Sequence, residues 1–226
     1  MQNLVFLTGA GISAESGLST FRDNGGLWDK YPIEEVATID AWKRNPKKVN
    51  DFYNLRRQNC YDANPNNAHR QIAELEDKFH VNIVTQNIDN LHERAGSKNV
   101  LHLHGLITNS RSSFTGKVYP LQNGKHIKLG EKCPNGFMLR PDVVWFGEEV
   151  PNMITACKIV GNADILVIIG TSLQVYPAAG LINATNNKCK KFILDPNKVT
   201  DTQSLDIIHI RENASTGIMK LIEFLL

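Results

Sequence analysis

The stretch Leu4-Val5-Phe6-Leu7-Thr8-Gly9-Ala10-Gly11-Ile12-Ser13-Ala14 decides the fold. A short apolar run makes a strand, and a glycine turn with the spacing G-x-G-x-x-A then opens a helix. Gly9 permits the tight turn, Gly11 lets backbone N–H groups approach a pyrophosphate without a clashing Cβ, and small Ala14 lets the helix lie close to the strand. The helix N-terminus turns its partial positive charge toward such an anion. The same residues also suit a merely tight strand-to-helix turn, so the motif alone does not establish a dinucleotide site. A hydride-transfer unit would add an acidic residue at the end of a second strand, about 20 residues on. Here the polar, glycine-rich loop Phe21-Arg22-Asp23-Asn24-Gly25-Gly26 follows instead. That argues against an ordinary dehydrogenase and for a loop that covers the ligand.

Further apolar runs bounded by Gly, Asn or Asp predict strands at Val81 to Thr85, Val143 to Phe146, Ile165 to Ile169 and Lys191 to Leu194. Helical patterns fall between most of them. Ala68 to Lys78 leads into Phe79 with Ile72 and Leu75 at helical spacing, Ile154 to Asn162 is amphipathic, and Ile218 to Leu226 ends the sequence. This alternation predicts an α/β fold, a parallel sheet with helices on both faces. Two stretches stand apart and are expected to form a smaller lobe: the punctuated, weakly periodic part from about Gly105 to Arg140, and Tyr31 to Asp62, helical by composition, with Trp42, Val49 and Phe52 as apolar positions.

A length of 226 residues suits one large domain with an inserted lobe rather than two equal domains. With 42% hydrophobic and 21% charged residues the composition is globular, which excludes disordered and collagen-like chains. Twenty-five Lys plus Arg against 23 Asp plus Glu, spread along the chain, make no basic face for nucleic acid or an anionic membrane. No apolar run approaches the roughly 18 residues that span a bilayer, and the start lacks a signal peptide's pattern, so the expected location is the cytoplasm. Cys60, Cys133, Cys157 and Cys189 are widely separated and read as reduced and mostly buried.

Three further clusters carry chemistry. Thr85-Gln86-Asn87-Ile88-Asp89-Asn90-Leu91-His92 follows a predicted strand, where open α/β sheets place ligand-contacting residues. Its amides and carboxylate suit a carboxamide and a ribose, and equally an Asn/Asp-rich turn that caps a helix. Leu101-His102-Leu103-His104-Gly105 puts two imidazoles on one face of an extended segment. With no third or fourth ligand evident nearby, one working base and one structural or exposed histidine is favoured over a metal site. Gly170-Thr171-Ser172 follows the Ile165 strand and suits either a second edge of the same ligand or a simple turn.

Gly9-Ala10-Gly11-Ile12-Ser13, Phe21-Arg22, Thr85-Gln86-Asn87-Ile88-Asp89, His104-Gly105, Phe146-Gly147-Glu148 and Gly170-Thr171-Ser172, in this order along nearly the whole chain, resemble the sirtuin family of NAD-dependent protein lysine deacylases. The resemblance implies a Rossmann-like large lobe at about 1–30, 63–104 and 141–226 and a small lobe from two insertions at about 31–62 and 105–140. NAD would bind between them as a consumed co-substrate. Gly9, Ala10, Gly11, Ile12 and Ala14, with Phe21, Arg22 and Trp28, would hold the pyrophosphate and cover the nicotinamide ribose. Gln86 would contact that ribose, and Asn87, Ile88 and Asp89 would receive the carboxamide, with Asn87 and Asp89 counted among the catalytic residues. His104, directly before the glycine, matches the family's base. Val144, Trp145, Phe146, Gly147 and Glu148 resemble the extended segment that pairs with substrate backbone. Gly170, Thr171, Ser172, Asp195 and Ala214 fall where the adenosine half is held, although the family commonly has Asn at the position of Asp195.

The implied reaction releases nicotinamide and yields free lysine and O-acyl-ADP-ribose. Tyr53 and Arg56 share a helix face. A guanidinium beside a phenol suits a buried carboxylate, although a surface Arg with Tyr packed beneath has the same spacing. The pair is similar to the Tyr-x-x-Arg of sirtuins that remove succinyl, malonyl and glutaryl groups, and Ala37 sits where those enzymes keep a small residue. Succinyl and malonyl are therefore expected to be preferred over acetyl. Sirtuins usually hold a structural zinc on two CxxC pairs, but between Gly105 and Phe146 only Cys133 is present, so no zinc is expected. Phe114, Tyr119, Leu121, Ile127 and Phe137 would then hold the lobe by packing. An ADP-ribosyltransferase and a non-enzymatic NAD-binding module are the competing readings. The expected partner is an acylated lysine of a protein, with no nucleic acid and no membrane, and nothing in the sequence fixes an oligomeric state.

Overall fold

The computed structural model describes residues 1–20, 30–122, 124–199 and 206–226. The expectations for Phe21, Arg22 and Trp28 lie outside the described residues. The glycine turn leaves the central strand of a six-stranded sheet, β1 (Asn3–Thr8). Around it run β2 (His80–Thr85), β3 (Val100–His102), β7 (Ile165–Ile169), β8 (Lys190–Leu194) and β9 (Ile207–Ile210) in the order β3-β2-β1-β7-β8-β9. Every pairing in this sheet is parallel. Alternate residues of each strand face opposite layers. Leu4, Phe6, Ile83, Val167 and Phe192 pack on one side with Ile72 and Leu75, which come from the helix Asn67–Glu74 and the turn after it, and with Ile218 and Leu221 of the helix Ala214–Leu225. On the other side Val5, Leu7, Val84, Leu166 and Ile168 pack with Ala156 and Val160 of the helix Met153–Gly161 and with Leu181 and Ile182. Apolar layers on both faces explain why these strands read as unbroken apolar runs.

The second lobe differs from its sequence reading. Instead of loops, Gly105 to Arg140 contributes to an antiparallel sheet of β4 (Gly105–Ser112), β5 (Val118–Pro120) and β6 (Leu139–Val143), ordered β5-β4-β6. Its alternation was hidden because β4 places Thr108, Asn109, Ser110, Arg111 and Ser112 along a strand. Ser110 and Ser112 are nevertheless buried. The strand expected at Val143 to Phe146 instead ends at Val143, and Val144 to Phe146 continues outside any named strand. Ile107 and Val143 pack with Val49, Phe52 and Tyr53 of the 17-residue helix Pro46–Asp62. Polar side chains of that helix fasten the lobe: Asn50 and Asn54 donate to the Ile127 carbonyl at 2.6 and 2.9 Å, and Arg57 Nε donates to the Ile107 carbonyl at 2.8 Å.

The chain passes from the large sheet to the small one at His104-Gly105. Gly105 has φ +83°, and a Cβ there would lie 2.3 Å from the Asp142 carbonyl oxygen, so no other residue fits this crossing.

Beneath the sheet ends lies a buried polar cluster. Thr8 Oγ1 lies 2.8 Å from Thr85 Oγ1 and 3.1 Å from His92 Nε2, and the His92 ring meets the edge of His69 with centroids 4.9 Å apart. Burial pushes His69 down to about 4 and His92 well below its ordinary value, so both rings are neutral in the fold. An unfolded chain takes up these protons near 6.5, so this contribution to stability is complete above that pH and is lost as pH falls toward 4. His69 alone accounts for about 2 kcal/mol lost by pH 5. Denaturation midpoints at pH 7.5 and 5 should fall less in His69→Gln, which keeps an acceptor for its capping box, than in the parent. An equal fall in both would contradict neutral burial of His69.

Candidate active site

The strand order reverses at β1, whose neighbours β2 and β7 lead outward in opposite directions. Ligands of open α/β sheets bind at such switch points, beyond the carboxyl ends of the strands. Here the turns after β1 and β7 interlock. Gly9 N–H donates to the Ile169 carbonyl at 3.0 Å and Gly11 N–H to the Gly170 carbonyl at 2.9 Å. Gly170 has φ +62°, and a Cβ on it would lie 2.3 Å from Ile12 N. Above this crossing opens a cavity of about 520 Å³.

From the large lobe, Gly9, Ala10, Gly11 and Ala14 line the cavity together with Gln86, Asn87, Ile88, Asp89, His104, Gly170, Thr171, Ser172, Asp195 and Ala214. Ile12 does not line it; its side chain is fully buried in the sheet core with Leu4 and Phe6. From the other side come Ala37, Tyr53, Arg56, Val144, Trp145, Phe146, Gly147 and Glu148. Sequence reasoning missed Tyr176, Pro177, Asn197 and Asn213, which also line it. Asn213 directly precedes the last helix, so the helix-start signal of an Asn before Ala214 could have placed it.

Asn87 and Asp89 are buried and bound into the turn after β1. Asn87 Nδ2 donates to the Gly9 carbonyl at 3.1 Å and to Ser13 Oγ at 3.3 Å, and Ser13 Oγ donates to Asp89 at 3.0 Å. Asp89 also accepts the Leu91 N–H at 3.1 Å, so it both supports a helix start and faces the cavity. Burial pushes its carboxyl up, against the pull of the Leu91 and Ser13 bonds and the charges of His102 and Arg56. Gln86 Nε2 reaches Thr171 Oγ1 at 3.1 Å, joining the turns after β2 and β7.

The two histidines sit on consecutive carbonyls. His104 Nδ1 lies 2.9 Å from the Gln86 carbonyl. A carbonyl only accepts, so Nδ1 carries the proton and Nε2 the lone pair. Burial pushes His104 down, which leaves it a neutral ring able to take a proton at pH 7. His102 Nδ1 lies 2.9 Å from the Asn87 carbonyl and its Nε2 lies 2.8 Å from a Glu93 carboxylate oxygen. Both partners accept, which requires a proton on each nitrogen. Burial opposes that charge, but the Glu93 bond and charge outweigh it and His102 is raised. His104 lines the cavity and His102 does not.

On the small-lobe side, the helix Pro46–Asp62 presents Tyr53 and Arg56. Tyr53 is buried beside Trp145, ring centroids 6.1 Å apart, and burial raises its hydroxyl, so the phenol stays protonated. Arg56 Nη1 donates to the Ser19 carbonyl at 3.4 Å. Phe146 N–H donates to the Ala37 carbonyl at 3.0 Å and its carbonyl accepts from Ile39 at 3.3 Å, so this peptide is already paired on both sides. The Glu148 carboxylate receives Arg140 at 2.6 Å and the Trp145 N–H at 2.9 Å. The Arg140 guanidinium stacks 4.1 Å from the Trp145 ring, so Glu148 balances a buried cation within the wall. At the end of β8, Asp195 accepts the Asn197 N–H at 2.9 Å.

Cys133 packs with Ile127 and Leu139, backed by Tyr119, Leu121 and Phe137. Its carbonyl accepts the Gly136 N–H at 2.8 Å, and the Ser112 hydroxyl accepts the N–H groups of Phe114 and Thr115 at 3.3 and 3.2 Å. Phe114 is 76% exposed and stacks on Phe137, so it contributes less packing than expected. No group of three His, Cys, Asp or Glu side chains suited to a metal occurs among the described residues.

Residues 9–177 match the Sir2 family. A protein of Bacteroides thetaiotaomicron named NAD-dependent protein deacylase is 49% identical, with 100% of this chain and 99% of that protein covered. One of the same name from Helicobacter pylori strain J99 is 50% identical over 95% of this chain and 91% of its own length. Among solved structures, a Sir2 homologue in complex with NAD has a TM-score of 0.89 at 38% identity, covering 98% of this chain and 88% of its own. A Sir2 protein with a deacetylated p53 peptide and 3'-O-acetyl ADP ribose has a TM-score of 0.82 at 30% identity, covering 98% and 92%. This chain belongs to the Sir2 family, the sirtuins.

Proposed function

We propose that this chain removes acyl groups from protein lysines with NAD as co-substrate, favouring succinyl and malonyl over acetyl and giving nicotinamide, free lysine and O-acyl-ADP-ribose. The observation that carries this reading is the junction of three features in one cavity: a Cβ-free double turn, a histidine of fixed tautomer, and the buried Tyr53 beside Arg56. The cavity fits NAD on its own features, since the glycine turn forms its floor and the buried Asn87 and Asp89 line it beside the neutral His104. The relatives named above as NAD-dependent protein deacylases support the same reading. The large lobe is assigned to about 1–30, 63–104 and 141–226 and the small lobe to about 31–62 and 105–140, with β6 carrying the small sheet on to Val143.

When bound, NAD supplies the activated ribose that receives the acyl group. This chain's residues then divide the work. The turn of Gly9, Ala10 and Gly11 forms the surface against which the pyrophosphate lies, with Ala14 allowing the close approach. Asp195, Ser172 and Ala214 take the adenosine half. Gln86 contacts the nicotinamide ribose, and Asn87, Ile88 and Asp89 hold the carboxamide. His104 takes the ribose proton on Nε2, and its low basicity keeps that atom available at neutral pH. Val144 to Gly147 orient the peptide, and Trp145 closes the wall beside Tyr53. Arg56 and the Tyr53 hydroxyl receive the acyl carboxylate in a space that Ala37 leaves open.

The small lobe does not fit a zinc ion. Cys133 is one thiol, and the facing position is Ser112, whose hydroxyl already accepts two backbone N–H groups. We assign its cohesion to the Ile127, Cys133 and Leu139 cluster and to the Asn50 and Asn54 bonds. Elemental analysis of purified protein should find far less than one zinc per chain; a stoichiometric amount contradicts this. His104→Tyr should bind NAD within about threefold of the parent in calorimetry while turnover drops by about 100-fold or more, and appreciable deacylation by that variant refutes the base. Arg56→Met should lose about tenfold or more in kcat/KM on succinyl-lysine peptide and little on acetyl-lysine peptide. Equal losses on both would remove the carboxylate pocket.

A further inference from the structure

We propose that Glu93 and His102 form a charged positioning pair, in which His102 pins the Asn87 main chain and its positive charge balances the buried carboxylate of Asp89. Sequence alone gave His102 no function, and it lies outside the cavity wall. Its side chain is 12% exposed, yet both ring nitrogens are engaged, one on the Asn87 carbonyl at 2.9 Å and one on Glu93 at 2.8 Å. A ring flanked by two acceptors is held in one orientation and in one charge state. The peptide it grips belongs to the residue whose side chain ties the turn after β2 to Gly9 and Ser13.

Three titratable groups face His102: Glu93 on the helix Leu91–Arg94, Asp89 in the turn before it, and the neutral His92. Two of these are carboxylates, and His102 stands as the cation beside both. Asp89 has the Arg56 guanidinium as its further positive neighbour. Without the charge on His102, Asp89 would more readily hold a proton, because burial already favours its neutral form. A neutral Asp89 is a changed partner for Ser13, whose hydroxyl links it to Asn87. His102 thus acts through Asn87 and Asp89 and touches no reacting atom.

This inference rests on the proposed role of Asn87 and Asp89 in holding NAD, and its test keeps the two apart. NAD affinity is measured by calorimetry from pH 5.5 to 8.5 for the parent, His102→Gln and Glu93→Gln, and imidazole titrations are followed by NMR. In the parent, His102 should remain doubly protonated at neutral pH. In Glu93→Gln its titration should move down. In His102→Gln the acid limb of NAD affinity should move up by about one pH unit, with a loss of about fivefold or more at pH 6 and a much smaller one at pH 8. A residue of merely structural value would weaken binding by one factor at every pH and leave the limb in place, and that result overturns the proposal. So does a parent His102 that is neutral at pH 7. A parent that bound no NAD at any pH would refute the proposed function, while the NMR titrations would still decide whether Glu93 holds His102 charged.

Discussion

The interlocked turns after β1 and β7 are the constraint on which the site depends. Gly11 and Gly170 approach so closely that a Cβ on Gly11 would lie 2.6 Å from Gly170 Cα. That contact brings the carboxyl ends of the two central strands together at the point where strand order reverses. The turn Gly9-Ala10-Gly11 thereby lines the cavity floor with little side-chain bulk, so that a ligand can approach its backbone closely. The third turn, after β2, is tied to the same floor by Asn87, Ser13 and Gln86.

An asymmetry between two histidines follows from this arrangement. His102 and His104 leave β3 two residues apart and find consecutive carbonyls, Asn87 and Gln86, at the same 2.9 Å. What separates them is the far nitrogen. Glu93 meets that of His102 and fixes a cation, whereas burial keeps His104 neutral. One pattern of spacing therefore supplies a fixed charge and a proton acceptor, separated by their neighbours rather than by their own chemistry.

The sheet, its parallel sense and most cavity residues were legible in the sequence because they rest on local rules: apolar runs for doubly covered strands, and glycines where backbones cross. That the two histidines differ in surroundings was expected from the sequence, but the identity of Glu93 as the deciding neighbour was not, since the helix Leu91–Arg94 and β3 meet only in the folded chain. The small antiparallel sheet was missed because β4 carries polar residues, two of them buried serines, that break the apolar alternation a strand is read from. The ion pair of Glu148 was hidden for a related reason. Glu148 lines the cavity in the segment expected to meet substrate backbone, and its carboxylate pairs with Arg140, eight residues away. Ile12 was placed with the ligand by its motif, yet the helix turns its side chain into the core.

Joining the double turn to the Tyr53 and Arg56 wall in one cavity makes acyl transfer to NAD, with acidic acyl groups preferred, the central claim. The most direct measurement is mass-spectrometric turnover of matched acetyl- and succinyl-lysine peptides, each with and without NAD. The account predicts NAD-dependent loss of the succinyl group, faster than loss of acetyl, with O-succinyl-ADP-ribose formed. Removal of neither group in the presence of bound NAD would contradict it.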